Sequence, residues 1–490
     1  MTRAVRALAA MLVAGCAARH APDQPSPAVT RLSTQLDSVF ASPDFARAAW
    51  GVVVQSLPTG EVLYSRNAER LFMPASNQKI LTGALALARL GPAFRWATPV
   101  LAAGARHGDT LSGDLVVAGR GDPTISQHAA GGDDPLLPLR SWADSLRARG
   151  IRVIDGAVVG DGSWFPDPPL GQGWMWDDLA DSYSAPVGAL EFNEGFAVLT
   201  AAPGAGAGDS LRLRLLPSGA PLRNASTATT APADTAVNSL GATRALASDL
   251  VALWGRLSAG HAPVTFEISV GDPAGYFAAA LTQVLREAGI VVTFRPRGHP
   301  PATDTLFTWH SPRLDSALKL LEKPSQNQIA EALLRTVGGV VKGTASLDSG
   351  RAVLRETLRG WGVSDDAWVY ADASGLSRYN YVAPEVIAKV LSGIARDSAF
   401  AAFYEALPVA GVDGTLELRL RGTAAQGNVR AKTGAIANVR TMSGYVTTRD
   451  GERLLFVLMA NHFTAPGRTA TLAQDLVADL LANFSRSGGR

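Results

Sequence analysis

The two ends of this chain share a texture that its middle lacks, and this limits the folds open to it. Near the start, residues 29–40 have helical periodicity. Residues 50–56 and 61–65 then alternate as a hairpin around Leu57-Pro58-Thr59-Gly60, and an apolar helix over 76–90 is stopped by Gly91-Pro92. From 96 to 302 the pattern changes. Short strand-like runs (115–118, 157–160, 211–216) alternate with Gly/Pro/Asp turns, and 201–235 is rich in Ala, Gly, Thr and Pro. A helix over 273–288 and a strand over 290–294 close this stretch. Helical texture returns at 312–321 and 325–337. Three strands follow (428–434, 439–448, 453–461), then an amphipathic helix over 469–484. No repeat of fixed period is present, and 490 residues exceed what one compact domain usually holds. The expectation is one α/β domain built from 29–95 and 303–490. It is interrupted by β-rich accessory domains over 96–302, with a smaller one nested near 198–270.

Composition narrows the function. The chain is 47% hydrophobic and 18% charged, and its 45 Lys and Arg nearly balance 43 Asp and Glu. Two of the basic residues, Arg3 and Arg6, open an apparent leader over 1–16, so no basic face argues for nucleic acid. The stretch Leu12-Val13-Ala14-Gly15-Cys16 resembles a bacterial lipobox. That implies a lipid on Cys16, a tether over 17–28 bearing Pro22, Pro25 and Pro27, and a periplasmic or cell-envelope location with the lipid in a membrane. Cys16 is the only cysteine, which excludes thiol catalysis and thiolate metal sites in the mature body. The seven histidines have no metal-ligand spacing, so neither a metal nor a cofactor is expected.

Three short motifs carry the chemistry. Ser76-Asn77-Gln78-Lys79 is S-x-x-K at a helix start, where positions i and i+3 share a face and the amine can lie beside the hydroxyl. A serine hydroxyl needs a neighbouring base, and a lysine serves only if burial or a second cation lowers its pKa. Lys432-Thr433-Gly434, on a strand and followed by Ala435, supplies a candidate for that cation. A strand edge can hold an extended peptide, and Lys432 and Thr433 suit a terminal carboxylate. Gly434 would let the substrate backbone come close. Ser325-Gln326-Asn327 opens a helix after Pro324, and its hydroxyl could relay a proton to a leaving amine. A second S-x-x-K, Ser316 to Lys319, lies in the amphipathic run 314–321 and reads as a solvated face.

The three motifs together form the set found in β-lactamases and penicillin-binding proteins. With their surroundings the sequence resembles the class C low-molecular-mass penicillin-binding proteins, the D-alanyl-D-alanine carboxypeptidase/endopeptidase family. The lead-in Asn67-Ala68-Glu69-Arg70-Leu71-Phe72-Met73-Pro74-Ala75 carries the resemblance. So do Gly119-Arg120-Gly121-Asp122-Pro123, Tyr183-Ser184-Ala185-Pro186 and Asp372-Ala373-Ser374-Gly375-Leu376-Ser377-Arg378. It implies an α/β transpeptidase-like domain, with a five-stranded antiparallel sheet between helix groups and two inserted domains. It makes Ser76 the acylated nucleophile, Lys79 its base, Ser325 and Asn327 the proton relay and substrate contact, and Lys432 the carboxylate anchor. Backbone N–H groups of Ser76 and Ala435 would form the oxyanion hole. Trp176, Asp178 and Tyr183 match an aromatic and acidic loop that reads the substrate's diamino acid, in a register that Trp174 and Asp177 leave open. The run 372–378 reads as a Gly-turned structural loop.

The implied partners are peptidoglycan stem peptides and cross-links, and β-lactams as covalent inhibitors. The chain departs from the family at Gln326, which replaces the commoner acidic or amide residue, and at Ala435, which replaces a hydroxyl residue. A serine β-lactamase with the same machinery, and a non-catalytic peptidoglycan-binding lipoprotein, are the alternatives.

Overall fold

The computed structural model describes residues 26–245, 248–294 and 304–487. The leader with Cys16, and the tether up to residue 25, lie outside the described residues. The first helix, α1 (Pro27–Phe40), starts slightly earlier than the periodicity implied. Pro27 occupies its first turn, and the Ser26 hydroxyl accepts from Val29 N at 3.3 Å.

Strands from the two ends of the chain make one sheet. These are β1 (Ala49–Ser56), β2 (Val62–Arg66), β3 (Arg430–Ile436), β4 (Val439–Thr447) and β5 (Arg453–Asn461). All neighbours are antiparallel, in the order β3-β4-β5-β1-β2, so β3 is an edge. Central strand β5 is buried on both sides and splits its side chains by the period of two. Leu454, Phe456, Leu458 and Ala460 join one core, and Leu455, Val457 and Met459 join the other. The first core is closed by α1 and the C-terminal helix Gly467–Asn483.

The second core surrounds α2 (Gln78–Leu90). Every residue of α2 from Gln78 to Leu87 is buried, because α3 (Leu314–Glu322), α4 (Asn327–Lys342), α5 (Leu347–Gly360) and α6 (Pro384–Ala395) pack about it and close its face to water. The five-stranded sheet thus lies between two helix groups.

The intervening stretch is less purely β than expected. Strands Ala97–His107, Thr110–Ala118, Val153–Ile154, Val158–Asp161, Val291–Val292 and Asp304–His310 form a mixed sheet. Helices Leu137–Ala148 and Pro273–Glu287 pack on it through Trp142, Phe277 and Leu281. Strand Asp304–His310 pairs along Ala97–His107, and Phe307 and Trp309 pack on this core. The chain therefore returns to the helical layer at Leu314, later than the boundary drawn after 302. Strand texture reads alike on both sides of residue 302 in the sequence. Within the insertion, short strands from Phe196–Ala202 to Val264–Ser269 make three small sheets around Leu253 and Leu257.

Leu85, fully buried on α2, tests this packing. Leu85→Ala should lower the unfolding free energy by about 2–5 kcal/mol in a denaturant titration. A loss below about 1 kcal/mol would show that the helix is not enclosed as described.

Candidate active site

Ser76 sits in a 3-10 turn, Ala75–Asn77, just ahead of α2. The turn is fastened to the sheet on three sides. Thr441 Oγ1 donates to the Pro74 carbonyl at 2.9 Å, Asn77 Nδ2 donates to Ser443 Oγ at 2.6 Å, and Asn461 Oδ1 accepts from Met73 N at 2.8 Å. Ala75 is held at φ 45°, in the left-handed region that non-glycine residues seldom enter. Strain of this kind persists where surrounding bonds over-determine the backbone.

Two close approaches need glycine. A Cβ on Gly434 would lie 2.8 Å from Ser76 N and 2.2 Å from Thr441 Oγ1. Its missing side chain therefore makes room for the nucleophile's turn. Gly375, at φ +87°, crosses the same turn from the other side, where a Cβ would meet the Ala75 carbonyl oxygen at 1.9 Å.

Lys79 is fully buried, and its Nζ has three neighbours: Ser76 Oγ at 2.9 Å, Asn327 Oδ1 at 2.6 Å and the Ser374 carbonyl at 2.7 Å. The last two can only accept. A neutral amine has two N–H bonds and one lone pair, so these acceptors take both protons and leave the lone pair facing the Ser76 hydroxyl. Burial, and then the nearby Lys432 charge, hold the Lys79 pKa well below the usual lysine range. Glu322, Asp372 and Glu331 oppose them. Lys432, also fully buried, is pushed down to about 8 by burial, against Glu322, and donates to the Thr433 carbonyl at 2.9 Å.

The Asn327 amide is held at both ends. Nδ2 donates to the Tyr183 carbonyl at 2.6 Å, which ties the relay motif to the inserted stretch. Ser325 stands off the helix it was expected to open, at φ 69°, with the cap at Gln326 and α4 starting at Asn327. Gln326 explains its own departure from the family pattern. Its Oε1 accepts from Gln328 N at 3.1 Å and its Nε2 bonds Glu194, so it is structural and faces away from the nucleophile.

A cleft of ≈ 420 Å³ opens over these groups. Ser76, Ser325, Asn327 and Ala435 line it, with Asp177, Asp178 and Tyr183 from the insertion. Tyr183 OH donates to Asp178 Oδ1 at 2.8 Å. Among the aromatic and acidic residues expected to read substrate, Trp176 is the exception. It is 72% exposed and does not line the cleft, and Met175 and Asp177 do instead. Trp174 turns inward, donating from Nε1 to Asp372 Oδ2 at 2.9 Å. Thr433 does not line the cleft either, and its hydroxyl meets that of Thr415 at 2.7 Å.

Residues 372–378 do more than the structural reading allowed. Ser374 supplies a carbonyl to Lys79, and Gly375, Leu376 and Arg378 line the cleft. Glu331 Oε1 accepts from the N–H groups of both Ala373 and Ser374 at 2.9 Å, which aims that carbonyl. A main-chain acceptor leaves no side-chain signature, so only the polar density of the run marked it. The stray Ser316/Lys319 pair is on the surface as expected, with Lys319 ion-paired to Glu405 at 3.5 Å.

The sequence pattern of the D-Ala-D-Ala carboxypeptidase 3 (S13) family matches residues 32–481. The chain belongs to this family. It is 34% identical over 477 residues to the D-alanyl-D-alanine carboxypeptidase of Actinomadura sp. (strain R39), covering 93% of this chain and 85% of that one. It is 28% identical over 454 residues to the D-alanyl-D-alanine carboxypeptidase DacB of Haemophilus influenzae, covering 89% and 93%. The crystal structure of penicillin binding protein 4 (dacB) from Haemophilus influenzae superposes with a TM-score of 0.76 at 26% identity, covering 93% of this chain and 99% of that one. The transpeptidase-like fold with inserted domains is thus shared along nearly the whole S13 chain.

The glycine contacts give a test. Gly434→Ala should push the Ser76 turn and slow labelling by a fluorescent penicillin by about 100-fold, since sub-ångström misplacement of a nucleophile is costly. Labelling at the wild-type rate would show that β3 does not set the turn's position.

Proposed function

We propose that this S13 enzyme removes the terminal D-alanine from D-alanyl-D-alanine peptides through an acyl-enzyme on Ser76. The observation that carries the reading is the arrangement at Lys79: a fully buried amine 2.9 Å from the Ser76 hydroxyl, with the Asn327 side-chain oxygen and the Ser374 carbonyl as its other neighbours. The substrate lies extended along edge strand β3, with its terminal carboxylate toward Lys432. Ser76 Oγ attacks the scissile carbonyl as its proton passes to Lys79, and the oxyanion forms against the N–H groups of Ser76 and Ala435. The proton reaches the departing D-alanine amine through Ser325. Water then releases the shortened peptide. A cross-link with a D-configured scissile bond fits the same cleft and would be cut in the same way. β-Lactams acylate Ser76 and stay.

The same reading treats 29–95 and 303–490, less the strand Asp304–His310, as the catalytic domain. The insertion supplies Asp177, Asp178 and Tyr183 to read the stem peptide's side chain. It places the enzyme in the cell envelope, lipid-anchored through Cys16. Among the described residues no helix is long and apolar enough to cross a membrane.

Ser76→Ala should lower D-alanine release by at least about 1,000-fold and abolish labelling by fluorescent penicillin. Wild-type adducts should persist. Rapid turnover of benzylpenicillin, or D-alanine release by Ser76→Ala, would contradict the assignment.

The lysine environments also fix a pH profile. Lys79 must be neutral, so kcat/KM rises as pH passes its lowered pKa. Lys432 must be charged, so kcat/KM falls as pH passes about 8. A rate that climbs without a break into the ordinary lysine range, about 10.4, would contradict both roles.

A further inference from the structure

Helix α3 ends on a carboxyl that the mechanism above does not use. Glu322 is fully buried, and neither of its side-chain oxygens has a hydrogen-bond partner. A buried, unbonded carboxylate is costly unless a cation compensates it. Its place in the fold sets it against the helix of one lysine and links it to the strand of another. Gly83 lies one turn after Lys79 on the same face of α2, and a Cβ there would come 2.7 Å from Glu322 Oε1. The carboxyl therefore fills the space that glycine leaves beside the amine's helix face. On its other side, the end of α3 is joined to the strand that carries Lys432. Thr415 N donates to the Lys323 carbonyl at 3.0 Å, and the Thr415 hydroxyl meets that of Thr433 at 2.7 Å.

Burial pushes the Glu322 carboxyl up to about 7, against the charges of Lys432 and then Lys79, so it is ionised in the alkaline range where Lys432 titrates. Lys79 also feels Asp372, from the 372–378 loop, and Glu331, from α4. On Lys432, Glu322 is the acid that opposes burial. Its neighbour Lys323 is already paired, with Asp413 at 2.6 Å. Two neighbouring ammonium groups in a dry site favour a single charge. The acceptors around Lys79 suit a neutral amine.

We propose that Glu322 is a positioning residue for acylation, the buried counter-ion that keeps Lys432 cationic as the carboxylate clamp while Lys79 stays neutral to receive the serine proton. This rests on the assignment of Ser76, Lys79 and Lys432 above. Removing the carboxylate leaves Lys432 with burial unopposed, so Lys432 loses its proton at lower pH.

The test is the pH dependence of the second-order rate of acylation by a fluorescent penicillin. The full chain is compared with Glu322→Gln, Glu322→Leu and Glu322→Asp, with Lys79→Ala alongside. In the Gln and Leu variants the alkaline fall should move about one pH unit toward acid. At the wild type's alkaline midpoint they should react about fivefold more slowly relative to their own maxima. Glu322→Asp should restore part of the shift.

An unmoved alkaline fall in both charge-less variants overturns the proposal, and so does failure of both to fold. Should Glu322→Gln alone fail to fold, Glu322→Leu decides. Lys79→Ala reacting at the wild-type rate would instead bring down the underlying assignment. An unmoved fall with an inactive Lys79→Ala sinks only the role of Glu322.

Discussion

The site depends on where a buried lysine can put its protons. Lys79 is closed off from solvent and has two neighbours that cannot donate, the Asn327 side-chain oxygen and the Ser374 carbonyl. An ammonium there would satisfy the same contacts but carry an expensive buried charge beside that of Lys432. Burial and that second charge favour the neutral amine, which under the proposed mechanism turns its lone pair to Ser76. Base strength and aim thus come from one arrangement. The rest of the catalytic domain keeps water out of it and holds its two acceptors still.

Those acceptors arrive from distant parts of the chain. Asn327 is set by the start of α4 and by the carbonyl of Tyr183 in the insertion. Ser374 is set by Glu331, whose carboxylate gathers two N–H groups of the loop, and by Asp372. Asp372 takes the N–H of Gly375 at 2.8 Å and that of Ser377 at 2.6 Å. Trp174 joins the insertion to the same aspartate. The insertion is therefore bonded both to the relay asparagine and to the loop that feeds the base. Its loops line the cleft above the groups they help to orient. Left-handed Ala75 and Ser325 lie at the two points where the backbone must turn sharply to bring hydroxyls into that cleft.

Much of this was legible in the sequence. The S-x-x-K spacing gave the serine–lysine contact because helix geometry fixes i and i+3. The apolar runs over 453–461 and 76–90 read as a strand and as a helix buried on most sides, and the structure adds that both faces of the strand are covered. What stayed hidden acts through the main chain or through absence. The Ser374 carbonyl, the missing Cβ of Gly434 and the left-handed turn at Ser325 have no side-chain pattern. Glu322 was hidden differently, as one acid in an amphipathic run whose buried side faces the active site. Trp176 is the reverse case. An aromatic flanked by acids looks like a binding residue, yet the backbone turns its ring to solvent and presents Met175 and Asp177 to the cleft.

The chain has only six lysines, which makes its central claim directly observable. With 13Cε-labelled lysine, each side chain gives a resonance whose shift follows its own protonation, and Lys79→Arg and Lys432→Arg assign the two that matter. These two resonances should titrate below the ordinary lysine value of about 10.4, Lys432 near 8 and Lys79 also displaced downward. A Lys79 resonance titrating at the ordinary value would mean that Lys79 is charged in the resting enzyme and cannot be the base for Ser76.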